Sequence, residues 1–180
     1  MHRVHRMDLD KRDQRKPEFL AINSRGTIPA IVDGDGPGGT PISVTQSAAI
    51  VLYCAEKSGK LMPHDPQHRI EALDWFMHAV TDVGPASSAL FQLSLAPDKS
   101  PTNIRHFEQR FLKHCTDIDA RLQARSYLAG EFSIADVALY PIVLARGALI
   151  DSADGLINLK AWKQRVAGRE QTVSAMTANG

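Results

Sequence analysis

The chain has 180 residues, with 21 Lys and Arg against 20 Asp and Glu, and 43% of its residues are hydrophobic. That hydrophobic share is enough for a packed core and excludes disorder throughout. A net charge of +1 lacks the asymmetry that nucleic acid or anionic membranes select, and no apolar run reaches the about 18 residues of a membrane span. Neither nucleic acid nor membrane is therefore expected as a partner. The opening Met1-His2-Arg3-Val4-His5-Arg6 leads into no apolar run, so no secretory signal is expected. Two cysteines, Cys54 and Cys115, make no disulfide framework. A cytoplasmic, mostly helical protein is the expectation.

In chain order, residues 3–9 read weakly as a strand, basic and poorly alternating. Residues 17–22 read as a short helix opened by Pro17. The apolar run Thr27-Ile28-Pro29-Ala30-Ile31-Val32 ends in the turn-rich residues 33–39, and Ile42-Ser43-Val44-Thr45 follows with the period of a half-buried strand. Together they predict a hairpin. Residues 47–58 turn helical, with Ala48, Val51, Leu52 and Ala55 on one face and Gly59 at the C-cap position.

Met62-Pro63-His64-Asp65-Pro66 reads as a linker, since its prolines stop one helix and position the next. It divides the chain into a small α/β unit over residues 1–62 and an all-helical unit over 67–180. In the second unit the apolar period is close to that of an α-helix. Ile70, Leu73, Phe76, Met77 and Val80 form one stripe, interrupted near Gly84-Pro85. Ile104, Phe107, Phe111, Cys115, Ile118 and Leu122 form the longest. Ile134, Val137, Ala138, Pro141, Ile142 and Ala145 form a third, and Leu159, Trp162 and Val166 a short fourth.

Several chemical signals are incomplete. His64 and His68 have no third ligand, so no metal site is expected. The glycines at 34, 36, 38 and 39 lack the Gly-Lys-Ser/Thr ending of a phosphate loop, and no Gly-x-Ser-x-Gly elbow occurs. Cys54 and Cys115 sit on apolar stripes with no cationic neighbours, which points to core packing for both.

Three local features carry more. In Thr27-Ile28-Pro29 a proline stands at the start of a strand, either as an ordinary trans residue or as a cis bond. A cis bond would turn the preceding N–H and C=O outward, toward an extended peptide. At Gln46-Ser47 a strand gives way to a helix. Ser47 is placed as an N-cap, either capping alone or opening a helix terminus that attracts a carboxylate, with Gln46 beside it. Ser133-Ile134-Ala135-Asp136 matches a capping box and reads as structural.

In this order the pieces resemble a glutathione S-transferase. Lys16-Pro17-Glu18-Phe19-Leu20-Ala21-Ile22-Asn23, Thr27-Ile28-Pro29-Ala30-Ile31-Val32-Asp33, residues 46–53 and Gly130-Glu131-Phe132-Ser133-Ile134-Ala135-Asp136 each resemble a family segment, and they span nearly the whole chain. The insert at residues 33–40 and the Val83-Gly84-Pro85 interruption are similar to the bacterial nu-class and yeast-prion-like branch. The resemblance implies a truncated thioredoxin-like N-terminal domain and an all-helical C-terminal domain, paired as a homodimer with glutathione as cosubstrate. It implies thiol transfer to electrophiles or glutathione-dependent disulfide reduction. It assigns Ile28 and a cis Pro29 to the cysteinyl part of glutathione, Gln46 and Ser47 to the γ-glutamyl end, and Gln14 to a further contact.

Two departures stand out. Pro85-Ala86-Ser87-Ser88 replaces the branch's "GPMxGQ" motif, and His106 stands where the branch has arginine. Met1–Leu9 is similar to the family's second strand, so the family's opening strand, helix and sulfur-activating residue have no counterpart in this reading. No catalytic residue is assigned. Without that residue the glutathione thiol is expected near its free pKa of about 8.5. The competing expectation is a non-catalytic binding or interaction module.

Overall fold

The computed structural model describes residues 3–177, which fall into two compact units meeting between Ser58 and Gly59. In the first unit the alternating segments form the hairpin their pattern predicts. Strand β1 (Ala30–Asp33) pairs antiparallel with β2 (Ile42–Thr45), Ala30 opposite Thr45 and Asp33 opposite Ile42. Gly38 and Gly39 adopt φ of 70° and 74° in the connecting turn, a left-handed region that glycine enters without a Cβ clash. Helix α1 (Pro17–Leu20) starts on its proline, and α2 (Ser47–Ser58) packs on both strands.

Residues 3–8 form no strand, against the expectation for residues 3–9. A strand exists through its ladder, and among the described residues the sheet contains β1 and β2 alone. Arg3, Val4, His5 and Arg6 are instead solvent-exposed, and the chain then turns, with Asp8 and Asp13 bonded across it. The expectation for Met1 and His2 lies outside the described residues.

Among the described apolar side chains of the first unit only Ala55 is fully buried, so polar ties carry much of its order. The far end of the hairpin is tied to α2 through Asp33. Its carboxylate accepts from Tyr53 Oη at 2.6 Å and from Lys57 Nζ, which also donates to the Asp35 carbonyl. The Lys57 ammonium, then the Tyr53 hydroxyl, hold the Asp33 carboxyl down at about 2.

The second unit is helical and well packed. It comprises α3 (Pro66–His78), α4 (Gly84–Leu95), α5 (Pro101–Leu122), α6 (Ile134–Ala145), α7 (Gly147–Ser152), α8 (Ile157–Ala167) and α9 (Glu170–Thr177). Phe76, Phe111, Ile118, Leu139 and Trp162 fill its core. The α5 and α8 stripes face inward as their spacing predicts, with Phe111, Cys115, Ile118 and Leu122 buried on α5 and Leu159, Trp162 and Val166 on α8.

Helix α3 differs. Ile70 and Met77 face solvent, and the buried side chains are Ala72 and Phe76. The small Ala72 admits close helix approach, so the inward face is offset from the bulkier stripe. The Gly84-Pro85 interruption is not a stop. Residues Ala79–Val83 widen into a π turn closed by Gly84 N–H on the Ala79 carbonyl, and α4 continues with Pro85 in its first turn.

Candidate functional site

The ladder register builds the site. Because Ala30 pairs with Thr45, the residues just beyond them, Pro29 and Gln46, emerge at the same end of the hairpin. The Ile28–Pro29 bond is cis. Ile28 is half-exposed.

Gln46 has φ of 76°, a left-handed backbone that a residue with a Cβ seldom adopts. Its carbonyl accepts from Ile50 N–H at 2.9 Å, which makes Gln46 rather than Ser47 the capping position of α2. The expectation for Ser47 is corrected accordingly. Ser47 lies inside the first turn, exposed, and its hydroxyl has no protein partner among the described residues. A capping oxygen must precede the helix to reach its free N–H groups, and Ser47 starts one residue too late. Its hydroxyl lies beside the open amides at the start of a 12-residue helix.

Gln14 lies in the short 3-10 turn Asp13–Arg15, with a buried Oε1 that has no hydrogen-bond partner among the described residues. Its backbone is packed beneath Gly26, where an added Cβ would meet the Gln14 carbonyl and Arg15 Nη1 at 2.8 Å. Residues 23–27 connect this turn to the cis bond. Asn23 is 4% exposed and donates to the Thr27 carbonyl at 2.6 Å. Its Oδ1 accepts from Arg25 N–H at 3.2 Å, an Asx-type turn. Sequence reading missed Asn23. The available signal was an Asn ahead of the Gly26 turn.

Ser133 and Asp136 belong to the other unit and make the predicted capping box, with Ser133 N–H donating to Asp136 Oδ2 at 3.0 Å. Asp136 does more than cap. Its Oδ1 also accepts from Trp162 Nε1 at 2.8 Å and from Leu128 N–H at 3.2 Å. Burial pushes its carboxyl above the ordinary value, against the pull of these donors.

Ser87, in the segment over residues 85–88, is held by Arg146 Nε at 2.9 Å. Cys115 is buried and its thiol is pushed up to about 12 by desolvation, whereas Cys54 is exposed, so core packing fails for Cys54. Its α2 position faces outward, away from the buried Ala55. Among the described residues no group of three or more His, Cys, Asp or Glu side chains is arranged to hold a metal ion, and no helix is long and apolar enough to cross a membrane.

A family model described as "Glutathione S-transferase, N-terminal domain" matches residues 2–57. Disulfide-bond oxidoreductase YfcG of Escherichia coli is 33% identical over 178 residues, covering 97% of this chain and 83% of that protein. The chain belongs to the glutathione S-transferase superfamily.

Solved members of the superfamily share its architecture. A glutathione transferase from Pseudomonas putida, crystallised with one glutathione disulfide per subunit, matches with a TM-score of 0.88 at 29% identity, covering 98% of this chain and 80% of its own. One from Burkholderia graminis, with two glutathione molecules per subunit, matches at 0.83 and 29% identity, covering 93% and 73%. The hairpin with α1 and α2 is thus the part of a thioredoxin-like N-terminal domain that these residues form, and α3 to α9 match the helical C-terminal domain of these transferases.

Proposed function

We propose that this glutathione S-transferase superfamily member binds glutathione on its first unit and uses it as a cosubstrate. The main chain of Ile28, next to Pro29, pairs with the cysteinyl residue of the tripeptide. The γ-glutamyl carboxylate sits on the α2 terminus, where the Ser47 hydroxyl and free amides donate to it and Gln46 lies beside it. Gln14 supplies a further polar contact. The observation that carries this reading is the placement of Pro29 and a left-handed Gln46 beyond one strand pair, at the start of a helix whose first serine has no side-chain partner among the described residues.

The chemistry is thiol transfer. In conjugation the glutathione thiolate forms a C–S bond to an electrophile and displaces its leaving group. In disulfide reduction the thiolate attacks one sulfur, the S–S bond breaks and a thiolate departs. A second glutathione then resolves the mixed disulfide to glutathione disulfide. The names of the relatives, disulfide-bond oxidoreductase YfcG and glutathione S-transferase GstA among them, support both reactions. A cytoplasmic homodimer is the form in which we propose that it acts.

The test is turnover with glutathione, using chlorodinitrobenzene as electrophile and hydroxyethyl disulfide as oxidant. Rates above the uncatalysed background with at least one substrate are expected. Background rates with both would overturn the catalytic reading.

A further inference from the structure

We propose that Arg25 is a positioning residue that holds the two halves of the glutathione site in register, a role that rests on the binding site proposed above. The loop over residues 23–27 is closed on itself. Asn23 Nδ2 donates to both the carbonyl and the Oγ1 of Thr27, at 2.6 and 3.2 Å, and Gly26 N–H donates to the Asn23 carbonyl at 2.9 Å. Thr27 leads directly into the cis Ile28–Pro29 bond.

The Arg25 side chain leaves this loop and ties it to the other half. Its Nη2 donates to Thr45 Oγ1 at 2.5 Å, across 20 residues of sequence, and Thr45 directly precedes the left-handed Gln46. The Arg25 carbonyl accepts from Arg15 Nη1 at 3.3 Å, beside Gln14. One residue therefore touches all three segments that carry the proposed glutathione contacts.

The β ladder cannot do this alone. Pairing of Ala30 with Thr45 sets strand register, but the ladder ends there, and the directions in which residues 28–29 and 46–47 depart are set by what lies past the last pair. A binding constellation has to be held within about half an ångström by its supporting contacts. The planar guanidinium supplies a directional contact from loop to strand end, which a flexible ammonium reproduces poorly.

The test is calorimetric binding of glutathione to the full chain and to Arg25→Ala, Thr45→Val, the double variant and Thr45→Ser, with thermal melts of each. Arg25→Ala and Thr45→Val are each expected to weaken binding about tenfold with little change in melting temperature. The double variant should be no weaker than either single one, because both remove the same contact. Thr45→Ser keeps the hydroxyl and should restore binding.

Wild-type affinity in Thr45→Val beside a loss in Arg25→Ala would make Arg25 a direct ligand contact and overturn the positioning role. Additive losses, or an equal loss in Thr45→Ser, would overturn it as well. A wild-type chain that does not bind glutathione would instead remove the site reading, and this role with it.

Discussion

Pro29 and Gln46 leave the sheet at the same end because Ala30 and Thr45 form the last pair of the ladder, and both depart with uncommon backbones, one cis and the other at φ of 76°. A residue with a Cβ held in the left-handed region, as Gln46 is, is a backbone outlier of the kind that clusters at ligand sites.

Ser47 has no side-chain partner among the described residues, so its replacement should cost binding rather than folding. Ser47→Ala is expected to weaken glutathione binding by roughly 1–3 kcal/mol, the loss of a charge-assisted hydrogen bond. Calorimetry beside a thermal melt checks this, and unchanged affinity would contradict it.

Gln46 offers the opposite separation. A residue with a Cβ in the left-handed region costs about 1–2 kcal/mol, and glycine does not. Gln46→Gly should hold or raise the melting temperature while glutathione affinity falls. A fall in both would mean that the side chain supports the fold instead.

Much of this was legible in the sequence, for physical reasons that also explain the gaps. The hairpin and the α5 stripe were readable because period and turn chemistry agree over residues 30–45 and 104–122. The inward face of α3 was not, because Ala72 sits inside while Ile70 and Met77 lie outside. Which small residues admit a neighbouring helix depends on that helix. Gln46 is not a residue that favours a left-handed backbone, so nothing local announced its conformation. The Arg25–Thr45 contact spans 20 residues and has no periodic signature.

In the second unit, Asp136 and Ser133 should separate by magnitude. Ser133→Ala removes a cap and is expected to cost about 0.5–2 kcal/mol. Asp136→Ala strands the Trp162 indole and the Leu128 and Ser133 amides, each worth about 1–3 kcal/mol when buried without a partner. Denaturant titration should rank Asp136→Ala as the more damaging by a clear margin. Equal losses would show that the box alone matters.

His114 on α5 packs edge-on against His78 of α3, ring centroids 5.2 Å apart, and the Nε2 of each is buried without a hydrogen-bond partner among the described residues. Burial, reinforced by the His78 ring and Arg110 against Asp82 and Asp117, holds the His114 imidazole below its ordinary value of 6.5. The unfolded chain therefore takes up this proton at higher pH than the folded one. Its contribution to stability is full above about pH 6.5 and is lost as pH falls through that value toward the folded pKa. Melting temperatures of the wild type and His114→Gln between about pH 8 and pH 5 should converge or cross on the acid side. Parallel curves would contradict the assignment.

The most direct test of the site is a glutathione titration of isotopically labelled protein followed by backbone amide resonances. Saturable shifts centred on Ile28, Ser47 and Ala48, with the helical core of α5 unmoved, are the predicted result. Absence of saturable shifts at those amides, or shifts confined to other surfaces, would contradict the account.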